Sequence, residues 1–470
     1  MALPRSGGAA SQAEPLFPFR GCYITFMRMP VMGLTEWKAA VDCFAEDGMN
    51  TLVLWVPGGF RSRKYPLTWG YNAEHPNVTK DFLRDLIDHA RTRHIRVLLG
   101  FTPFGYDGVN RMPLAHPEWK AQKADGSPVD EFGIHSWGWS LCPAQAGARE
   151  FMRDYLREMI FDFYPNAEGL MVESSDYNVC QCAECRAHPY EEEFRLTREI
   201  SEEMWKTKPG ALILVYPHYF TGRKVPGLET AAVRQPFDPR WGLIFTPHSA
   251  HFDADLIRQA KCSLFSGPEA ALGTPASIAA AVKSARDHGV NGYLPSLEAF
   301  SYPVTRPEGG EPFFEGKRRR PMGLDPETAE GRMPYGALLP RVQRLAAREF
   351  SRDPGLPMAA FERRLGETFF GRDSAPQAAA DLLELQRIWN YEAEWYWSSP
   401  LLDPLFFQTR ARRLHWSAEK LAGYQRDFDR LREIATRYRA STQPVEMEMA
   451  GICLRVIDRW KDKCPEDIIR

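Results

Sequence analysis

Two carboxylates follow a short apolar run in the middle of the sequence, and together they could carry out acid–base chemistry. The run at residues 169–172 predicts a buried strand, and Glu173 and Asp176 come just after it. In barrels of parallel strands, catalytic side chains lie at the C-terminal ends of the strands. We therefore predict that Glu173 is a catalytic acid or base. Asp176 could assist it, orient it or form an Asx turn.

Two further glutamates, Glu269 and Glu298, follow the last two predicted strands at similar offsets. Hydrolysis of a glycosidic bond needs one carboxyl group that protonates the leaving oxygen and a second that attacks or activates water. Either glutamate could pair with Glu173, because a barrel brings the strand ends together. A helix cap or a surface position is the alternative for each. The sequence leaves open which glutamate is the partner and whether the reaction retains or inverts the anomer.

Aromatic and basic side chains at other strand ends predict a carbohydrate-binding cleft. Flat rings suit the C–H faces of sugars, while histidine and arginine can hydrogen-bond to hydroxyl groups. For the two histidines, a core position with satisfied hydrogen bonds is the alternative. The predicted substrate-binding residues are Arg28, Trp55, Tyr106, Tyr177, His218 and His248.

Three cysteines with C-x-C-x2-C spacing follow the carboxylates, namely Cys180, Cys182 and Cys185. This spacing is typical of a structural zinc site whose fourth thiolate comes from elsewhere in the chain. Cys142 precedes the helix that leads into the strand at residues 169–172, so it could supply that ligand. Three reduced thiols without metal, or a disulfide, are the alternatives.

The elements that must position these residues alternate between strands and helices from residue 19 to residue 336. Short apolar runs are typical of parallel strands that are buried on both faces. Eight such units predict an α/β fold, the (β/α)8 TIM barrel. Only residues 228–234 could form the fifth helix, so the numbering of strands six to eight depends on that unit. The predicted strands are residues 22–27, 51–56, 96–101, 169–173, 211–216, 242–246, 262–266 and 291–294.

The sequence predicts a flexible lead-in at residues 1–18, a catalytic barrel at 19–336 and an all-helical C-terminal domain at 337–470. The last part consists of long amphipathic patterns that contain several tryptophans. Such a domain could pack on the barrel, or it could form the interface of a homo-oligomer.

Composition excludes several classes of partner. The net charge of the 470 residues is −2, which argues against a nucleic-acid or anionic-membrane partner. No apolar run reaches the roughly 18 residues that a transmembrane helix needs. The nine cysteines are an odd number, and the N-terminal residues lack the apolar core of a signal peptide. These features predict a reducing, cytoplasmic location.

A further pattern precedes Glu173, consisting of Leu141-Cys142-Pro143, Arg149, Phe151 and Gly169-Leu170. Through this pattern the middle of the chain resembles barrel glycoside hydrolases of the family-42 β-galactosidase type. More distantly, it is similar to α-glucuronidase-like and hexosaminidase-like barrels, which share an aspartate followed by a cysteine loop.

This resemblance implies a role for several residues. The acid/base glutamate of that family ends strand 4, which corresponds to Glu173, and its cysteine loop can hold zinc with a distant fourth cysteine. Its nucleophile follows strand 7, which points to Glu269, or to Glu298 if the strand count shifts. The sequence departs from the family at Val172, where the family has asparagine.

The sequence thus predicts a glycoside hydrolase with paired carboxylates at the barrel mouth, a carbohydrate substrate and a structural zinc. One alternative is a substrate-assisted hexosaminidase or α-glucuronidase-like hydrolase in which Glu173 and Asp176 act as a pair. A second is a non-catalytic carbohydrate-binding barrel. A third is a hydrolase that keeps its metal in the active site.

Overall fold

The structure of the chain is a computed structural model that describes residues 17–25, 32–69, 81–106, 108–129, 138–173, 180–217, 220, 235–246, 252–267, 273–295, 334–371, 376–389, 400–402, 404–461 and 463–468. Eight parallel strands close into a barrel in chain order, and the first strand pairs with the last. The predicted (β/α)8 fold and the predicted strand numbering are therefore confirmed. The strands are β1 (Phe19–Thr25), β2 (Thr51–Trp55), β3 (Arg96–Phe101), β4 (Gly169–Val172), β5 (Leu212–Val215), β6 (Gly242–Phe245), β7 (Ser263–Phe265) and β8 (Gly292–Tyr293).

Side chains alternate along each strand between the barrel interior and the surrounding helices. On β4, Met171 belongs to the interior cluster, so Gly169 and Glu173 face the same side. A Cβ atom at Gly169 would lie 1.9 Å from the carbonyl oxygen of Leu212, so only glycine allows β4 to approach β5 this closely. The interior cluster consists of Val53, Leu98, Met171, Leu212, Leu214, Ile244, Cys262, Leu264 and Leu294.

The helices of the barrel pack their apolar faces against the outer side of the strands. In the last of them before β8, Thr274 caps the helix by accepting from the backbone N–H of Ser277, and Pro275 occupies the first turn, as predicted. Residues Glu158–Phe163 extend the third helix as a π-helix. The helices are α1 (Leu34–Glu46), α2 (Leu83–Thr92), α3 (Ala146–Arg157), α4 (Ala183–Ala187), α5 (Glu191–Thr207), α6 (Ala254–Gln259) and α7 (Pro275–Asp287).

The next helix, α8 (Leu338–Arg352), packs beside α7 and is tied to the end of α1. Arg344 on α8 is 0% exposed, and its Nε donates to Asp47 Oδ2 at 2.6 Å. The same guanidinium donates to the backbone carbonyl of Cys43 in α1 at 3.2 Å. A helix that the sequence analysis placed in the C-terminal domain thus completes the ring of helices around the barrel.

The remaining described helices form a bundle, in agreement with the predicted helical C-terminal region. The buried carboxylate of Asp381 accepts from the Tyr438 hydroxyl at 2.8 Å and also from Arg430 and Arg437. Burial would raise the pKa of Asp381, but these hydrogen bonds outweigh burial and lower it. The helices are α9 (Met358–Phe370), α10 (Pro376–Trp389), α11 (Pro404–Arg413), α12 (Ala418–Tyr438) and α13 (Pro444–Trp460).

Within the described part of the chain, none of the helices combines the length and the apolar character needed to cross a membrane. The cytoplasmic location, the domain boundaries and the oligomeric interface remain predictions.

Candidate active site at the barrel mouth

Glu173 is positioned by the strand that precedes it. Its backbone N–H donates to the carbonyl oxygen of Phe101 at 2.9 Å, which continues the ladder between β3 and β4 by one residue. Its half-buried side chain faces the same side as Met171, toward the barrel interior. The structure therefore brings this carboxylate to the C-terminal mouth of the barrel, where the sequence placed it.

A tyrosine from a strand that does not pair with β4 contacts this carboxylate. The hydroxyl group of Tyr23, on β1, donates to Glu173 Oε2 at 2.7 Å. Tyr23 was not among the predicted site residues, because only side chains at or beyond the C-terminal ends of the predicted strands were considered. Strand alternation could have found it, since Phe19 and Tyr23 share the interior-facing side of β1.

The connection after β3 adopts an unusual backbone conformation at two residues. Phe104 and Tyr106 have φ values of 60° and 64°, in the left-handed region that non-glycine residues rarely occupy. Such conformations cost about 1–3 kcal/mol each and are common at functional sites. Just before them, the buried hydroxyl of Thr102 has no hydrogen-bond partner among the residues that the structure describes.

Two of the predicted substrate-binding residues pack against each other. The rings of Trp55 and Tyr106 meet edge to face with centroids 5.4 Å apart, and the two residues are 2% and 3% exposed. Gly100 makes room for this contact, since a Cβ atom there would lie 3.2 Å from Trp55 Cα. In this arrangement the rings offer little surface to a sugar, and their binding role remains a prediction.

The four cysteines predicted to bind metal are brought together. Cys142 Sγ lies 3.5 Å from Cys180 Sγ and 3.8 Å from the sulfurs of both Cys182 and Cys185. All four sulfurs lie within 4.8 Å of one another, and all nine cysteines are free of disulfides. Four thiolates about 2.3 Å from a tetrahedral zinc would be separated by about 3.8 Å, so the cluster has the size that a metal ion requires.

Backbone groups orient the sulfurs of this cluster. The N–H of Gln122 donates to Cys180 Sγ at 3.3 Å, and the N–H of Cys185 donates to Cys182 Sγ at 3.5 Å. Hydrogen bonding within the cluster lowers the pKa of Cys180 and raises the pKa values of Cys142 and Cys185, so Cys180 is the first of these three thiols to ionise. N–H donors of this kind stabilise the thiolates that bind metal.

The cluster joins two loops on either side of the candidate acid. Cys142 lies at the end of the long connection between β3 and α3, whereas the other three cysteines lie between β4 and α5. The backbone also joins these loops, since the N–H of Gln181 donates to the carbonyl oxygen of Gln122 at 2.7 Å. The chain that leaves the barrel at Glu173 is thus held again at Cys180.

The other predicted site residues lie outside the described residues, so their placement and roles remain predictions. The confirmed strand count still orders them, because Glu269 follows β7 and Glu298 follows β8. These residues are Arg28, Asp176, Tyr177, His218, His248, Glu269 and Glu298.

One protein-family model matches part of the chain. The model of the family described as "Hypothetical glycosyl hydrolase 6" (GHL6) matches residues 37–174, from within α1 to just beyond Glu173. No protein of curated function matches the sequence.

Solved glycoside hydrolases share the fold at low sequence identity. A GH138 enzyme targeting pectin rhamnogalacturonan II is 12% identical with a TM-score of 0.51, and the match covers 94% of this chain but only 56% of that enzyme. A chitobiase from Flavobacterium johnsoniae is 12% identical with a TM-score of 0.46, over 94% of this chain and 71% of its own. A β-N-acetylhexosaminidase is 14% identical with a TM-score of 0.45, over 81% and 79% of the two chains.

The identities are low, and only the match to the GH138 enzyme, whose TM-score is 0.51, bears on the fold, whereas the family match bears on the enzyme class. A glycosyl hydrolase model that ends at the strand bearing Glu173 supports the predicted class, an enzyme that acts on glycosidic bonds. The resemblance to family-42 β-galactosidases is not part of that support and remains a prediction.

Proposed function

We propose that the chain hydrolyses a glycosidic bond with Glu173 as the acid/base and Glu269 as its partner carboxylate. The observation that carries this proposal is the inward-facing carboxylate of Glu173 at the end of β4, bonded to Tyr23. The confirmed numbering of the strands supports Glu269, which follows β7, over Glu298, which follows β8.

In this mechanism Glu173 protonates the oxygen of the leaving group, so that it departs as an alcohol. In a retaining reaction Glu269 attacks the anomeric carbon as the alcohol leaves, and the ionised Glu173 then takes a proton from the water that cleaves the bond between the sugar and Glu269. In an inverting reaction Glu269 instead takes a proton from the water that attacks the anomeric carbon. In either case Asp176 assists Glu173. Retention requires about 5–5.5 Å between the two carboxyl groups, while inversion requires about 6.5–9.5 Å. Under this proposal the partner carboxylate is expected within about 10 Å of Glu173.

Replacing the proposed acid tests this assignment. Glu173→Gln is expected to reduce turnover of unactivated glycosides by about 10²–10⁴-fold, because the amide cannot donate the proton. Aryl glycosides with good leaving groups are expected to lose less, because their leaving oxygen needs little protonation. Initial rates on a panel of both substrate types provide the measurement. Full activity of Glu173→Gln on an unactivated glycoside would contradict the proposal.

Glu168→Gln is a matched control on the same strand. Glu168 directly precedes β4, at the opposite end from Glu173, and its side chain pairs with Arg91 and Arg96 at 3.7 Å and 3.8 Å. Its replacement changes a glutamate next to β4 at the end far from the barrel mouth, so the activity is expected to stay unchanged. The alternative is a carbohydrate-binding barrel without catalysis. In that case the native protein, Glu173→Gln and Glu168→Gln would all bind sugar, and none of them would release an aglycone.

The partner carboxylate is tested by chemical rescue. In a retaining enzyme, Glu269→Ala is expected to lose activity and to recover part of it with added azide, which replaces the missing nucleophile. Glu298→Ala is the comparison variant, with little expected loss. Azide rescue of Glu298→Ala instead of Glu269→Ala would transfer the role to the glutamate after β8.

The cluster of Cys142, Cys180, Cys182 and Cys185 is proposed to hold a structural zinc. Four thiolates complete a tetrahedral site and leave no open position for substrate, so the metal would stabilise the loops rather than act in catalysis. Metal analysis of protein purified without added zinc is expected to give about one zinc per chain. Cys142→Ser is expected to lose it, whereas Cys464→Ser, at a half-buried cysteine outside the cluster, keeps it. Equal zinc content in both variants would exclude this site.

A further inference from the structure

We infer that Tyr23 is a positioning residue that fixes one oxygen of Glu173 and stabilises its charged form. This inference rests on the proposed function, because it assigns a role to a residue that acts through the proposed acid/base. The observation behind it is the hydrogen bond of 2.7 Å from the Tyr23 hydroxyl to Glu173 Oε2.

The backbones of Tyr23 and Glu173 both form hydrogen bonds with neighbouring strands of the barrel. Tyr23 is opposite Val53 in the pairing of β1 with β2, and its N–H donates to the carbonyl oxygen of Pro295 at 3.0 Å. Glu173 is held to Phe101 on the other side of the barrel mouth. Because strands position both groups, the barrel itself sets the distance between the hydroxyl and the carboxylate.

The ring and the hydroxyl of Tyr23 have different surroundings. The ring packs against the interior cluster of the barrel, whereas the hydroxyl reaches the carboxylate at the mouth. Tyr23→Phe therefore removes the hydrogen bond and keeps the packed ring, so the variant separates positioning from filling of the barrel.

The direction of this bond determines its effect on Glu173. The phenol donates and the carboxylate accepts at Oε2. A donor bonded to a carboxylate favours the charged form, and its removal makes protonation easier. Without Tyr23, the carboxyl group of Glu173 is expected to titrate at higher pH.

Other groups that titrate or carry charge face or follow the same mouth. Within the described residues they are Tyr106 after β3 and Tyr216 after β5. In the sequence, further groups follow the ends of seven strands, namely Arg28, Asp107, Asp176, His218, His248, Glu269 and Glu298. The test must therefore isolate the contribution of Tyr23 by comparing variants that differ only in its hydroxyl.

The experiment is the pH profile of kcat/KM for Tyr23→Phe and the native protein. Of the acidic and alkaline limbs of this profile, the one set by the ionisation of Glu173 is expected to move to higher pH by roughly 0.5–1 unit. In the same variant, kcat is expected to fall roughly 10-fold with little change in KM. Displacement of the alkaline limb shows that Glu173 must be protonated to react, as an acid does. Displacement of the acidic limb shows that it must be ionised, so the same measurement assigns the role of Glu173.

Tyr438→Phe is the matched control, because it also removes a tyrosine-to-carboxylate hydrogen bond, to Asp381 at 2.8 Å in the helical region. Its pH profile is expected to match that of the native protein. If Tyr23→Phe does not fold, 3-fluorotyrosine placed at position 23 gives the opposite test. The more acidic phenol is a stronger donor, so the limb is expected to move to lower pH.

The outcomes separate this inference from the proposed function. If Glu173→Gln is inactive while Tyr23→Phe keeps the native pH profile and kcat, the inference fails and the proposed function stands. If Glu173→Gln keeps full activity, both fail. The inference is supported if the limb of the pH profile set by Glu173 moves in Tyr23→Phe and does not move in Tyr438→Phe.

Discussion

Glu173 and the cluster of four cysteines are close together in the chain but are held in different ways. The backbone of Glu173 continues a strand of the closed barrel, and the Tyr23 hydroxyl from another strand donates a hydrogen bond to its carboxylate. The sulfurs come from two loops whose apolar contacts are few, with Ala121 and Val129 as their buried partners. The comparison teaches that the strand ladder and one hydrogen bond across the barrel hold the reactive group, whereas the two loops are joined through their four sulfurs.

The largest expected effect comes from disturbing the strand beneath Glu173. In Gly169→Ala the added Cβ atom would meet the carbonyl oxygen of Leu212 at 1.9 Å, so β4 must move away from β5. We expect a loss of more than about 3 kcal/mol in the free energy of unfolding, measured in urea, because backbone atoms cannot rotate away as a side chain can. Gly210→Ala is the control, since no atom lies within 4 Å of its Cβ position. Equal stability of the two variants would show that β4 tolerates displacement.

Removal of metal from the cysteine cluster is expected to have a smaller, local effect. Treatment with a chelator should release the loops that carry Cys142 and Cys180 while the barrel stays folded, because the strand ladder does not include them. Limited proteolysis should then cut between residues 174 and 187, and KM should rise about 10-fold as the loop beside Glu173 loosens. Added zinc should reverse both changes. Loss of the whole fold on chelation would mean that the barrel depends on the cluster.

The smallest expected effect concerns one buried carboxylate in the helical region, whose core is otherwise largely apolar. The hydrogen-bonded carboxylate of Asp381 has a pKa below its ordinary value of 3.8, so it contributes stability above that pH and loses it as pH falls through the folded-state pKa. Asp381→Asn should cost about 1–2 kcal/mol at pH 7 and less at pH 3, where the native contact is already weakened. Thermal unfolding at the two pH values measures the difference. A variant with the same deficit at both would show that Asp381 contributes by packing alone.

Much of the barrel could be predicted because its strands are buried on both faces. All eight apolar runs became strands, and β3 has the predicted bounds at Arg96–Phe101. The unusual spacing of the cysteines predicted a cluster that the structure brings within 4.8 Å. Both signals are local, since each depends on residue types within a short stretch of chain.

The partners of these residues were not predictable in the same way. Tyr23 and Glu173 are separated by 150 residues, and Arg344 and Asp47 by 297. Trp55 and Tyr106 were predicted to bind sugar, yet the structure packs their rings together. Of these six residues only Glu173, Trp55 and Tyr106 were among the predicted site residues, and nothing near them in the chain specified which other side chain each would meet.

The sequence by itself determined the order of strands and helices, the placement of Glu173 after the fourth strand and the set of four cysteines. These follow from hydrophobic periodicity and from the chemistry of single residue types, which act over a few residues. Only the tertiary structure decided that the Tyr23 hydroxyl meets Glu173 and that α8 closes the ring of helices through Arg344. The physical reason is barrel closure: the strand register sets which side chains share the interior, and that register exists only once all eight strands have paired.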